Sequence, residues 1–379
     1  MKILTVSNYY PPYFIGGYEI ACKETMDFLK NTGHHIEVLT SNYEGTIYGE
    51  EGVERTMTLT NYATASRLSK MQDENHNHRL LKEAIERFKP DLVYFWSLRG
   101  IGLGIIEAAN NANIPKVFEI GDFWMKGYMH QKEPSTLKRA LKTLIPFSHT
   151  QPVEIRPTIC VSQWIADELV QEYKIVDNYV IPNGTTIPEQ LGDVEVEHLR
   201  FIFAGRIDEE KGLDLAIKAL ISFNEKHPQK EFSLEVFGKG DEAFITMCKE
   251  LASPIHNKVH FHGMVSDRAE IYKNGSIFLM PTRMREPFGL VVIEAMAYGC
   301  VVITTDAYGP AEIIDDEQNG LLFKPEDIDD FCRQIEQVAT NESYKEQLRV
   351  AGFEHVKTNY DVHVVKPKVE AILHKIAGV

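Results

Sequence analysis

The sequence predicts an α/β protein made of two successive halves, each a parallel sheet flanked by helices. Three observations carry this. Short apolar runs alternate with longer stretches of helical periodicity, first over residues 1–40 and again from residue 199. The segment between consecutive strands is each time long enough to hold a helix, so the strands return in the same direction. Finally, 379 residues exceed what one ordinary core organises.

In the first half, residues 2–7 read as a strand and 8–17 as a loop with Pro11, Pro12, Gly16 and Gly17. Residues 18–32 have helical periodicity, Gly33 stops them, and 35–40 form a second strand. Gly16-Gly17 stands at a loop-to-helix junction, where it is either a plain turn or a place for a phosphate to approach the backbone. Residues 41–80 are polar; His76 and His78 lack a ligand pattern and read as a solvated segment. A helix at 80–88, a strand at 91–96, a helix at 102–110 and a strand at 116–120 follow. That strand ends at Gly121-Asp122, and ligands of open α/β sheets sit beyond the carboxyl ends of strands, so Asp122 is either a substrate contact or a loop cap. Between 125 and 150, Lys126, Lys132, Lys138, Arg139 and Lys142 alternate with Leu137, Leu141, Leu144 and Ile145. This is a half-buried helix, or a basic amphipathic face making peripheral membrane contact through 126–145. A strand at 158–162, a helix at 163–173 and a strand ending in the turn Pro182-Asn183-Gly184 complete the half.

Residues 185–198 lose periodicity and turn acidic, which reads as the linker between domains 1–188 and 195–361. The second half then runs strand 200–204, loop 205–212, helix 213–227, strand 232–237, helix 242–252, strand 259–262 and a helix near Ala269. An apolar run at 276–280, a helix after Gly289, a strand at 301–304 and an apolar stretch at 320–323 precede three closing helices at 328–338, 343–359 and 362–376.

The balance of 55 acids against 40 bases, a formal charge of −15, argues against a nucleic-acid partner, whose phosphates need a basic surface. Five scattered cysteines without C-x-x-C spacing indicate neither a zinc site nor a disulfide framework, and reduced thiols point to a cytoplasmic location. Residues 1–6 read as a strand and not as a signal peptide. No apolar run reaches the roughly 18–20 residues that span a bilayer. The location is therefore cytoplasmic, at the inner face of the membrane if 126–145 makes that contact.

The richest stretch is Met280 to Gly299. An arginine-rich loop after a strand leads to Glu286-Pro287-Phe288-Gly289-Leu290, which opens an apolar helix carrying a second acid, Glu294. The free N–H groups of the first helical turn attract an anion between the two carboxylates. Arg206 and Lys211 bracket another strand-to-helix turn and add two cations. This is no Walker loop, which needs G-x-x-x-x-G-K and a hydroxyl residue. Gly238-Lys239-Gly240-Asp241-Glu242-Ala243 has the spacing of a dinucleotide loop, but Asp241 and Glu242 occupy the helix start a pyrophosphate would need. A unit charge pair at 4 Å costs about 4 kcal/mol at an effective dielectric near 20. Asp327-Ile328-Asp329 looks like a metal-nucleotide motif, yet it starts a helix and complements its dipole. No metal and no cofactor are expected.

Taken together and in order, several pieces resemble the family 4 retaining glycosyltransferases of the GT-B fold. They are Pro11-Pro12 with Gly16-Gly17-Tyr18-Glu19, Val180 to Gly184, Ala204-Gly205-Arg206 with Lys211-Gly212, His262-Gly263-Met264-Val265, and the acid-x7-acid segment Glu286 to Glu294. The resemblance covers nearly the whole chain. It implies two Rossmann-like domains facing across a cleft, with the helix at about 362–379 packing back on the first. The donor would be a nucleotide-diphosphate sugar, a UDP-sugar on family frequency, and the acceptor a saccharide or glycolipid hydroxyl in polysaccharide or glycoconjugate synthesis. Arg206, Lys211 and the amides around Phe288, Gly289 and Leu290 would hold the diphosphate, which Gly16 and Gly17 would approach from the other domain. Glu294 would bind the ribose, backbone near Val265 the base, and Glu286 the sugar. The acceptor would attack the face the diphosphate leaves, without a metal or an enzyme nucleophile. One departure stands out: many relatives carry His before the Asp of the first-domain loop, where this chain has Gly121 before Asp122. A nucleotide-sugar epimerase of the same fold, or a binding relative without turnover, is the alternative.

Overall fold

The computed structural model describes residues 1–42, 49–129, 153–196, 198–265 and 267–379. The chain divides into two units, Met1–Ile181 with Lys366–Val379, and Pro182–Val365. In the first, a seven-stranded sheet has the order β3-β2-β1-β4-β5-β6-β7. Its strands are β1 (Lys2–Ser7), β2 (His35–Ser41), β3 (Val53–Met57), β4 (Leu92–Phe95), β5 (Lys116–Ile120), β6 (Thr158–Cys160) and β7 (Asn178–Val180), all paired in parallel. In the second, a six-stranded sheet has the order β10-β9-β8-β11-β12-β13. It is built from β8 (Leu199–Ala204), β9 (Phe232–Phe237), β10 (Val259–Gly263), β11 (Ile277–Met280), β12 (Val301–Thr305) and β13 (Leu321–Phe323), again parallel.

Both sheets start in the middle, run outward two strands, then jump back over the first strand and run the other way. The strand order thus reverses between β1 and β4 in one unit and between β8 and β11 in the other. In open α/β sheets the loops at the carboxyl ends diverge there and leave a crevice for ligands.

The second core shows why the elements form. On the helix Leu213–Lys226, residues Leu213, Ala216, Ile217, Leu220 and Phe223 recur at spacings of three and four and are fully buried against Phe201, Leu234 and Leu279 of the strands. Burying such side chains yields about 1.5–3 kcal/mol each.

Three sequence expectations change. Residues 41–80 contain a strand, β3, and the helix reaches back to Arg67 (Arg67–Phe88) instead of starting at residue 80. Ser66 caps that helix by accepting from Ser69 N–H, and its inward face uses a polar anchor. Buried Asn77 donates to Thr58 O (2.9 Å) and Ile101 O (3.1 Å) and accepts from Thr58 N (2.9 Å). The strand β3 likewise turns a buried Arg55 inward, donating to Tyr10 O (2.9 Å) and Pro11 O (2.6 Å). Polar residues that find hydrogen-bond partners in the interior leave no apolar period to read. The division between units falls at residue 181, ahead of the acidic segment. That segment is fastened to the second unit: Thr185 N donates to Tyr360 O (2.9 Å), Asn274 Nδ2 to Gly192 O (2.8 Å) and Glu195 N to Asn274 O (3.0 Å).

Candidate functional site

In the second unit the loops after β8 and β11, at the reversal point, are drawn together by glycine. A Cβ on Gly212 would lie 2.0 Å from Pro281 O, and its φ of +74° is one L side chains rarely adopt, so only glycine lets the loops approach this closely. The Glu210 carbonyl then accepts from Arg283 N (2.7 Å), Met284 N (3.1 Å) and Thr282 Oγ1 (3.2 Å). Arg283 also forks onto both oxygens of Asp214, at 2.7 and 2.9 Å. Burial raises the Asp214 carboxyl, but Arg283 and Lys218 outweigh it and hold the group below the usual carboxylate range.

This stitching sets Lys211 Nζ directly on Glu286 Oε2, with the two side chains 20% and 16% exposed. Asp208 caps the short turn before Lys211, accepting from Lys211 N at 3.1 Å. Arg206 reaches Asp208 and, at 3.1 Å, Glu210, but is 54% exposed. Surface pairs of that kind contribute about 0–1 kcal/mol, so Arg206 is readily drawn away by a stronger anion. The helix Leu290–Ala297 starts next to this pair. Its N-cap, Gly289, has φ +105° and offers no side-chain cap to the first amides. Phe288 turns inward, 4% exposed, so this residue can face a ligand through its backbone only.

Glu294 stands just over one turn into that helix and is held by Arg268 at 2.9 Å, with the Tyr272 hydroxyl 3.4 Å from its other oxygen. Val265 follows β10, two strands from β8, and is half-buried. Arg206, Lys211, Glu286, Gly289 and Leu290 are therefore gathered at one point, while Glu294 and Val265 extend the same edge. Arg283 and Arg268, the residues that hold Asp214 and Glu294, carried no individual signal in the sequence.

The glycines at 238 and 240 have a structural cause. A Cβ on Gly238 would meet Gly205 O at 1.8 Å, and one on Gly240 would meet Ile207 O at 1.9 Å. The two loops pair through Ile207 N to Lys239 O (2.9 Å) and Asp241 N to Ile207 O (2.9 Å). Asp241 caps the next helix by accepting from Phe244 N, and Asp327 caps another by accepting from Asp330 N. His76 sits on a helix, its Nε2 3.3 Å from Thr56 O.

In the first unit Asp122 does two things: it accepts from Trp124 N (2.8 Å) as a loop cap, and it pairs with Arg99 (2.8 Å) while 37% exposed. Gly16 and Gly17 are exposed, with open space around Gly16; the Gly16 N–H is already given to Glu19 Oε2 at 3.0 Å. Burial holds the Glu19 carboxyl above its ordinary range. The glycine before Asp122 is explained by Tyr18. A Cβ on Gly121 would lie 2.2 Å from Tyr18 Cε2, and the ring is fixed by its hydroxyl bond to Glu119 O (2.7 Å) and by packing 5.3 Å from Trp96. No side chain fits at residue 121 while Tyr18 stays. Around this reversal point Asn8 Oδ1, Tyr10 OH and Trp96 Nε1 are buried and have no hydrogen-bond partner among the described residues. Most of the 126–145 segment lies outside the described residues. Among the described residues no helix is long and apolar enough to cross a membrane.

Comparison with known proteins agrees with this layout. Residues 15–187 match the model of glycosyltransferase family 4, and residues 189–355 that of group 1 glycosyl transferases. An uncharacterized glycosyltransferase of Methanocaldococcus jannaschii is 23% identical over 369 residues, 92% of this chain and 91% of that protein. The sulfoquinovosyl transferase of Arabidopsis thaliana is 24% identical over 378 residues, 95% of this chain and 70% of that protein. Among solved structures, sucrose-phosphate synthase from Thermosynechococcus elongatus aligns with a TM-score of 0.76 at 16% identity, covering 100% of this chain and 99% of that one. Anabaena HepE in complex with UDP-glucose aligns at 0.71 and 17%, covering 99% and 100%. With one model matching each half and the solved neighbours sharing both parallel-sheet units, the chain belongs to the family 4 glycosyltransferases and has the GT-B fold.

Proposed function

We propose that this glycosyltransferase moves a sugar from a UDP-sugar to a hydroxyl of a saccharide or glycolipid, with retention and without a metal in the transfer step, in polysaccharide or glycoconjugate synthesis at the cytoplasmic face of a membrane. The observation that carries the reading is the meeting of Lys211, Glu286 and an uncapped helix start at the β8/β11 reversal point. Two cations and a row of amides there suit a diphosphate, and the solved complexes of HepE with UDP and UDP-glucose support the choice of donor.

In the protein without donor, Lys211 neutralises Glu286. When the diphosphate arrives, Lys211 and Arg206 turn to its oxygens and the amides of Gly289 and Leu290 complete the grip. Glu286, released, accepts from hydroxyls of the sugar and fixes the anomeric carbon. Glu294 exchanges its bond with Tyr272 for the ribose hydroxyls, and backbone at Val265 meets the base. The bond from the anomeric carbon to the diphosphate oxygen breaks as the acceptor oxygen bonds on the same face. The acceptor's proton passes to the leaving phosphate. Catalysis is then positional and electrostatic, since charge grows on the diphosphate where Lys211, Arg206 and the helix dipole already point. Asp122, exposed at the carboxyl end of β5, is assigned to the acceptor hydroxyl.

A panel of UDP, GDP, ADP and their sugars tests this by thermal shift and donor hydrolysis, because a ligand that binds only the folded state must raise its stability. UDP and one UDP-sugar are expected to raise the melting temperature, with slow release of a sugar that keeps its anomeric configuration by NMR. A response to GDP alone overturns the choice of nucleotide. An epimerised donor or an inverted product overturns the reaction.

A further inference from the structure

The one group of three metal-ligating side chains found among the described residues lies in the first unit, and none of its members is a residue assigned to the donor. Glu370 and His374 are one turn apart on the helix Val362–Ala377, so their side chains rise on the same face. His34 comes from the other end of the chain, just after Gly33, whose φ of +92° turns the backbone out of the helix Gly17–Asn31. Its buried ring sets Nε2 2.7 Å from Glu370 Oε1 and lies 5.3 Å, centre to centre, from the ring of His374. One ligand atom from each of the three lies within 4.8 Å of the others.

We propose that His34, Glu370 and His374 form a site for a divalent transition-metal cation of the zinc type, which clamps the last helix to the first unit. A hydrogen-bonded pair needs only His34 and Glu370; the second imidazole, brought to the same point, is what a metal uses and a pair does not. Two imidazoles and one carboxylate, with a water in the fourth position, are a zinc donor set. Magnesium and calcium take mostly oxygen ligands, of which this cluster offers one residue. The other ring nitrogen of His34, Nδ1, accepts from the Met1 ammonium at 3.1 Å, which leaves the ring proton on Nε2, facing Glu370. When a metal takes Nε2, its proton leaves to solvent, Nδ1 takes a proton from the Met1 ammonium and then donates to the neutral amine, and the bond to Glu370 is replaced by metal–ligand bonds.

The test uses the full chain, stripped with a chelator and dialysed. Titration with Zn2+ by calorimetry is expected to give one ion per chain, and Co2+ is expected to give the strong visible absorption of a four-coordinate site. The half-exposed positions allow His374→Ala and Glu370→Gln, whose melting without metal shows whether they fold. Each is expected to weaken Zn2+ at least about tenfold, since loss of outer-shell partners alone costs ~10–100-fold. The rise in melting temperature at a fixed Zn2+ concentration is expected to shrink with it. Absence of saturable binding, or unchanged affinity in both folded variants, overturns the site and leaves an ion pair only.

Discussion

The two reversal points have the same topology and different chemistry. Between β8 and β11 the loops are closed by charge: Lys211 on Glu286, Arg283 on Asp214, Arg206 on Asp208 and Glu210. Between β1 and β4 the corresponding end is mostly aromatic, with Tyr18 against Trp96 and with buried polar atoms of Asn8, Tyr10 and Trp96 that have no hydrogen-bond partner among the described residues, while the Arg99–Asp122 pair stands after β4 and β5. One scaffold thus carries ion pairs at one reversal point and, at the other, fixed rings beside buried polar atoms unpaired among the described residues. The difference follows from cost. An ion pair exchanges one charged partner for another, whereas a buried neutral group left unpaired costs about 1–3 kcal/mol until a ligand satisfies it.

Breaking the charged side is expected to have the largest effect. Lys211→Ala should lower turnover of the donor roughly 100-fold or more, the usual effect of losing one electrostatic stabiliser; near-normal turnover removes Lys211 from the diphosphate. Glu294→Ala should weaken UDP about tenfold or more by calorimetry, since hydrogen bonds to a charged group are worth ~1.5–3 kcal/mol. Unchanged affinity for UDP removes its ribose role.

On the aromatic side, Gly121→Ala should destabilise by about 1–3 kcal/mol in urea unfolding, the cost of overpacking. Made in a Tyr18→Ala background, the same change should cost much less, and an additive pair shows that Tyr18 is not what excludes a side chain at residue 121. Glu119, beneath this cluster, is bonded to Tyr94 OH at 2.5 Å, and burial pushes its carboxyl up to about 7. The folded state therefore holds a proton that the unfolded chain has released, so this group favours folding below about pH 4.5 and loses that contribution as pH rises to about 7. Glu119→Gln should flatten that decline, gaining on the order of 3 kcal/mol over wild type at pH 8 relative to pH 4.5. A parallel offset at both pH values contradicts it. Tyr10→Phe, which deletes an unpaired hydroxyl, should leave stability unchanged or raise it by about 1 kcal/mol. A marked loss of stability shows that the hydroxyl has a partner.

Legibility differed between the halves for the same reason. Residues 205–212 and 280–290 were readable because strand, glycine, charge and helix start follow each other locally, and each step has its own sequence mark. Arg55 and Asn77 hid a strand and most of a helix, because a buried polar residue with hydrogen-bond partners in the interior looks solvent-facing in the pattern. The acidic stretch 185–198 looked like a free linker because hydrogen bonds to distant carbonyls leave no periodicity.

By itself the sequence determined two parallel α/β units and the strand-to-helix turns that Gly205, Gly212 and Gly289 mark. These depend on the periods of helix and strand and on backbone angles, which neighbours in the chain decide. Only the tertiary structure decided that Lys211 rests on Glu286, that Tyr18 occupies the place of a side chain at residue 121, and that His34 meets Glu370 and His374. Those partners are far apart in sequence, and strand order together with close packing selects them.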